Sequence, residues 1–209
     1  MSEYPTRSPL QLRQQADGAW TVGLEGVTRV DTIDEQEPPR DWLAELDLPK
    51  DWSKLEAMAR PRGLSARRVR CIIGDESPTC FPGAWRYRPQ AWTYADDLNV
   101  TLGHLSFIVG RVEHVYPGSR DQWAAEKQKV DGATGEFVIG EVRLYDSDLA
   151  DAAWEGIRQG IFGHVCAILV RSTTAPLGTG ELLEVALTDR PACPGARILE
   201  TWEEETAIG

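Results

Sequence analysis

Between Glu136 and Leu187 the apolar pattern changes period twice, so this chain must fold as a mixture of strand and helix. Glu136 to Tyr145 reads as one or two strands. Asp146 or Ser147 then stands where a helix cap is needed, and Leu149, Ala153 and Ile157 recur at i, i+4 and i+8. That spacing predicts a helix from Asp148 to Gln159, stopped by Gly160. Phe162 to Arg171 follows as a buried strand and Leu182 to Leu187 as a second, with Gly178-Thr-Gly180 as a turn between them. Upstream, Val69–Ile73 is a short β-branched run ending at Gly74. Val100 to Val112 alternates, which puts Val100, Leu102, His104, Ser106 and Ile108 on one face. Tyr116 to Gly135 is polar and reads as a long loop. Many strands with one clear helix predict an α+β domain, mostly antiparallel and β-barrel-like, with flanking helices.

The first 65 residues read as an N-terminal appendage to this body. A hairpin is expected from Trp20 to Val30, followed by a polar stretch around Glu35–Pro39. Two short helical patterns follow, split by Pro49, which lacks the N–H a helix requires. Asp51 is placed to cap the second, Trp52 to Ala59. Pro61 and Gly63 punctuate the chain, which sets the expected boundaries at 1–65, 66–200 and 201–209. The end of the chain is expected to be an acidic, solvated tail, because its last eleven residues hold Glu200, Glu203, Glu204 and Glu205 and no base. Residues 66–99 are the reverse, carrying Arg67, Arg68, Arg70, Arg86 and Arg88.

Composition removes several function classes. A net charge of −11 argues against a nonspecific phosphate-binding surface, so no direct nucleic-acid contact is expected. No apolar run approaches the ~20 residues that span a bilayer, so no membrane partner is expected. The opening Met-Ser-Glu-Tyr-Pro-Thr-Arg has no apolar core, and a secretory signal is not expected there. Cys71, Cys80, Cys166 and Cys193 are widely spaced, which suits a reduced, intracellular protein better than a disulfide scaffold. Three scattered histidines and four unpaired cysteines lack zinc spacing, and no phosphate-cradling loop is visible, so no metal or cofactor is expected.

Histidine is scarce: His104, His114 and His164. His104 sits in the Val100–Val112 segment after Gly103. His164 and Cys166 are two apart on one strand and so share a face. Two readings of Cys166 stand side by side. It is a small buried hydrophobe, or it is a nucleophile that needs a nearby base to ionise. Glu184 likewise is either a carboxylate in apolar company beside Leu182 and Ala186, or a partner for an arginine such as Arg190.

Four segments in order carry a resemblance. They are Phe81-Pro-Gly-Ala-Trp85, Leu102-Gly-His-Leu-Ser-Phe-Ile-Val-Gly-Arg-Val112, Gly160-Ile-Phe-Gly-His-Val-Cys-Ala167 and Leu183-Glu-Val-Ala-Leu-Thr-Asp-Arg-Pro-Ala-Cys-Pro-Gly-Ala196. Together they resemble the prohead (capsid maturation) proteases of tailed bacteriophages, whose fold is related to herpesvirus assemblin. The family shows a Pro-Gly-Ala-aromatic motif, a His segment followed by Gly-Arg-Val, a Gly-x-x-Ser strand after a helix, and Glu-Val-Ser-Leu-x-x-x-Pro-Ala-x-Pro-x-Ala. The resemblance spans about residues 66–200 and leaves the appendage unaccounted for.

The resemblance implies that His104 is the catalytic base, that Cys166 stands at the nucleophilic Ser, and that Glu184 orients the histidine. It implies a peptidase that cleaves scaffold or capsid-protein segments during head maturation, with no cofactor. The major capsid protein and scaffold are the implied partners, self-association into a homo-oligomer is open, and the implied place is the host cytoplasm, within the procapsid or virion. The departures keep an alternative open. Cys166 replaces Ser, Ala186 replaces the Ser of Glu-Val-Ser, and Leu105 replaces the Asp that often follows the His. A non-catalytic capsid or assembly component on the same fold, or a host protein unrelated to phage, also fits. An active site requires His104 and Cys166 to converge within hydrogen-bond reach, and they are expected on neighbouring strands with their side chains facing and the thiol partly exposed.

Overall fold

A computed structural model of the chain describes residues 11–14, 20–23, 41–79, 86–103, 107–119, 135–170, 174–176 and 178–204. The chain divides into two units, Met1–Pro39 and Arg40–Gly209. In the first, β1 (Gln11–Gln14) pairs antiparallel with β2 (Trp20–Gly23). Trp20 therefore opens the second strand of a hairpin rather than the first. Residues 24–40, on which the remainder of the expected hairpin and the polar stretch fall, lie outside the described residues.

The second unit begins with two short helices, α1 (Trp42–Glu45) and α2 (Trp52–Met58). Asp41 caps α1 by accepting from Ala44 N, and Asp51 caps α2 by accepting from Ser53 N. Both helices belong to the main body: Leu55 of α2 and Leu48 between the helices are buried in its core, and Trp42 and Leu43 of α1 pack against it. The strands follow as β3 (Gly63–Asp75), β4 (Trp92–Leu102), β5 (Ile108–Ser119) and β6 (Glu136–Asp146). Helix α3 (Asp148–Arg158) comes next, then β7 (His164–Val170), β8 (Gly180–Thr188) and β9 (Arg197–Glu203). The cap of α3 is Ser147, whose Oγ accepts from Ala150 N at 3.1 Å.

The architecture is mixed α+β and mostly strand. Among the described residues, seven strands form one sheet in the order β7-β8-β4-β5-β6-β3-β9. Five of the pairings are antiparallel and one, β4 with β8, is parallel. The sheet curls until its two edges approach, where Ile198 N donates to Gly163 O at 3.0 Å. Its inner face carries Val69, Cys71, Val100, Leu102, Val109, Val142, Leu144, Val165, Val185 and Leu187, and Leu149, Ala150, Ala153 and Trp154 of α3 pack into the same core. Each such aliphatic side chain contributes roughly 1.5–3 kcal/mol when fully buried.

Two sequence expectations change. The Val100–Val112 alternation is not one strand. β4 ends at Leu102, Gly103 turns with φ +57°, and β5 returns antiparallel with Val100 opposite Gly110. A left-handed φ is cheap only for glycine, and a side chain at Gly103 would meet the Trp42 ring. Consequently Ile108 lies opposite Thr101 and is 38% exposed, whereas Val100 and Leu102 are fully buried.

The acidic tail is also corrected as far as Glu204; residues 205–209 lie outside the described residues. Glu200 and Glu203 lie in β9, which pairs with β3, and Glu204 continues beside it. Their compensating charges are the β3 arginines. Arg70 reaches Glu200 at 3.2 Å and Glu141 at 2.7 Å, and Arg67 reaches Glu203 at 3.9 Å as well as Asp151 of α3. Arg68 holds Glu113 at 2.5 Å, and its Nε stands 2.5 Å from Glu204, off the N–H direction, so that contact is charge pairing rather than an aligned hydrogen bond.

Glu113 lies at the centre of this network, with Arg111 at 3.0 Å and Arg143 at 3.9 Å in addition to Arg68. Burial alone would push its carboxyl up, but hydrogen bonds from Arg111 and Arg68 and the charges of Arg68 and Arg143 outweigh that and hold it below 4.5. A depressed carboxyl stabilises the fold above its ordinary range and loses that contribution as pH falls through its folded value. Glu113→Ala, which leaves three arginines facing one another, is expected to cost about 3 kcal/mol in urea unfolding at pH 7. The gap between wild type and Glu113→Gln should narrow as pH falls below 4.5.

Candidate functional site

The outer face of the sheet, opposite the core, is where β7, β8 and β4 bring the expected residues together. Side chains directly opposite in a ladder share a face. Cys166 lies opposite Ala186, which lies opposite Thr101. One row along, Ile168 lies opposite Glu184 and Glu184 opposite Asn99; in the other direction, His164 lies opposite Thr188. Cys166 and Glu184 thus sit on one face of adjacent strands.

Glu184 is half-buried and accepts a hydrogen bond from Thr101 Oγ1 at 2.5 Å. Burial raises its carboxyl above the ordinary range, opposed by the Thr101 hydrogen bond. The expectation that Glu184 shares a face with Leu182 does not hold. The register shifts between Ile168 and Leu169, opposite Glu184 and Leu182, and Leu182 turns into the core at zero exposure. Arg190, weighed from the sequence as its partner, donates its backbone N–H to Thr188 Oγ1 and places its Nε 3.9 Å from Asp189.

Cys166 is 7% exposed and packs in a small apolar cluster with Ala186 and Ala192. His104 lies outside the described residues, as do Leu105 and Ser106. What precedes it is fixed: Gly103 N donates to Leu187 O at 2.8 Å, so the chain leaves β4 against the end of β8. The strand leading to His104 and the strand carrying Cys166 are not neighbours, because β8 lies between them. His164 is half-buried, and burial and then the charge of Arg197 lower its pKa, against the pull of Asp189. A neutral imidazole is therefore favoured there at pH 7.

A buried polar cluster was not read from the sequence. Asp75, at the end of β3, is fully buried. Its Oδ1 accepts from Ser77 N and from Cys193 Sγ, both at 2.9 Å, and its Oδ2 accepts from Ser77 Oγ at 3.0 Å. Burial and the adjacent Asp75 push the Cys193 thiol up to about 12, so it remains a protonated donor. The Asp-x-Ser spacing of an Asx turn was the available signal for half of this cluster. Nothing local pointed to Cys193, which comes from 118 residues away.

Among the described residues no cluster of three or more His, Cys, Asp or Glu side chains is placed to hold a metal ion, and no helix is long and apolar enough to cross a membrane. No protein-family model matches the chain, and no solved structure matches it.

A carboxyl whose folded pKa is raised binds its proton more tightly when folded, so its effect on stability worsens as pH rises through that value. Glu184→Gln keeps an acceptor for Thr101 Oγ1 and removes the buried charge. It is expected to raise the melting temperature at pH 7, with the gain shrinking towards pH 4, as followed by thermal unfolding at a series of pH values.

Proposed function

We propose that the chain is a head-maturation protease-like protein of a tailed bacteriophage, which cleaves scaffold or capsid-protein segments during capsid assembly. The supporting observation is the strand order. Three segments that carry the family resemblance are separate in sequence, yet they meet on neighbouring strands: 160–167 leads into β7, 183–196 begins on β8, and 102–112 spans the end of β4 and the start of β5. Cys166 and Glu184 then share the outer face, and the chain enters His104 from the end of β4 beside them.

In this reading His104 takes the Cys166 proton, and the thiolate attacks the scissile carbonyl carbon. The tetrahedral adduct collapses to a thioester as the imidazolium gives its proton to the leaving amine. Water, deprotonated by the same imidazole, then attacks the thioester carbonyl and releases the acid and the thiol. Glu184 orients the base.

The burial of Cys166 favours a second reading. A thiol packed among alanines is a poor nucleophile, which suits a non-catalytic capsid or assembly component on the same framework.

Incubating the purified protein with the scaffold and major capsid protein of its virus separates the two. For a peptidase, gel analysis shows discrete products that Cys166→Ala abolishes and Cys166→Ser reduces without abolishing. If no product forms, or Cys166→Ala leaves cleavage unchanged, the peptidase reading fails. The assembly reading then requires that removing residues 1–39 abolish co-sedimentation with capsids.

A further inference from the structure

The segment between β8 and β9 is held along its length, with Ala192 on the outer face and Cys193 and Ala196 turned into the core. At its start, Arg190 N donates to Thr188 Oγ1 at 3.0 Å. In its middle, Ala192 joins the Cys166 and Ala186 side chains. Beyond, Cys193 Sγ donates to Asp75 Oδ1 at 2.9 Å, and Ala196 N closes a turn on Cys193 O at 3.0 Å. Gly195 passes so close to the Asp75 carboxyl that no Cβ fits between them. Ala192 and Cys193 are adjacent in the chain, so the residue that covers Cys166 cannot lift without straining the Asp75 contact.

We infer that Asp75 and Cys193 are positioning residues which clasp residues 189–196 over Cys166 and so set the access of other molecules to its thiol. The inference rests on the proposed site in taking Cys166 as the group that matters, but the clasp itself is independent of peptidase activity. It reconciles a nucleophile position with a buried sulfur: the thiol reacts in the fraction of molecules in which the segment is open. Cys193 suits the role because its thiol stays protonated near neutral pH and keeps its donor. The two prolines that flank the Ala-Cys pair, Pro191 and Pro194, restrict the segment's backbone, so it moves as a strap rather than fraying residue by residue.

The test is the rate at which iodoacetamide labels Cys166 in the intact folded protein at pH 7.5, read by peptide mass spectrometry. Cys193→Ala removes the donor and should raise that rate about tenfold or more, as the loss of one hydrogen bond shifts a local opening equilibrium. Cys193→Ser keeps a hydroxyl donor and should stay within about twofold of wild type. Backbone amides of residues 189–196 should exchange faster in Cys193→Ala, with those of α3 unchanged. Gly195→Ala, which crowds Asp75 while leaving the Cys193 side chain in the sequence, should open the segment in the same way and serves if Cys193→Ala does not fold.

Unchanged labelling and exchange in a folded Cys193→Ala or Gly195→Ala protein overturn the clasp. Labelling that rises in a protein that cleaves nothing keeps the clasp and removes the peptidase. Cleavage dependent on Cys166 with labelling indifferent to Cys193 does the reverse.

Discussion

The alternation along β3 is the constraint on which the rest of the fold depends. Val69, Cys71 and Ile73 point into the core, while Arg68 and Arg70 point outward between them. A strand of this kind must be covered on one side and charge-compensated on the other. The inner side is met by α3 and the curled sheet. The outer side is met by carboxylates from both neighbours: Glu141 from β6 and Glu200 from β9, with Glu113 reaching over from β5. The guanidinium of Arg70 also stacks over Trp202, 5.5 Å from the ring centre. Without these pairings β9 would be an acidic edge strand repelled by its own charges. With them it extends the sheet past β3 and brings Ile198 to Gly163.

The second consequence is topological. An antiparallel meander would have placed β7 and β8 far from β4. The parallel pairing of β8 with β4 instead inserts the late hairpin beside an early strand, and this sets Cys166, Glu184 and Thr101 in adjoining rows. Such a pairing needs a long crossover, which the segment from β5 through β7 supplies. The row beside Cys166 is kept small at Ala186 and the covering segment meets it with Ala192; a larger residue at either position would hold that segment away from Cys166.

Much of the element order was legible because it rests on local signals. The cap at Ser147 and the i, i+4, i+8 repeat located α3, and Asp51 located the start of α2. What escaped depends on pairs distant in sequence. β9 looks like a solvated tail because no base follows its glutamates in sequence; their partners lie in the arginine run of β3, Arg70 standing 130 residues before Glu200. The break at Gly103 was hidden because an alternating pattern continues through a hairpin of the right length, and only the backbone turn reveals that the faces have exchanged. The face of Glu184 was misread beside Leu182 because a bulge leaves no mark in residue type. Of the candidate site, the shared face of Cys166 and Glu184 depends on register, and His104 falls in 104–106, outside the described residues.

The buried Asp75 shows why the outer face is built as it is. A carboxyl with no exposure is costly unless its oxygens are satisfied, and a thiol is a weak donor to spend on one. Were Cys193 there only to fill space, an alanine or valine would serve, and Asp75 would be left short of a donor. Were it there only to satisfy Asp75, a serine would donate more strongly. A thiol does both at intermediate strength: it packs in the core beside Ala196 and holds the carboxyl without locking it. That combination suits a contact that has to hold a segment in place and still release it.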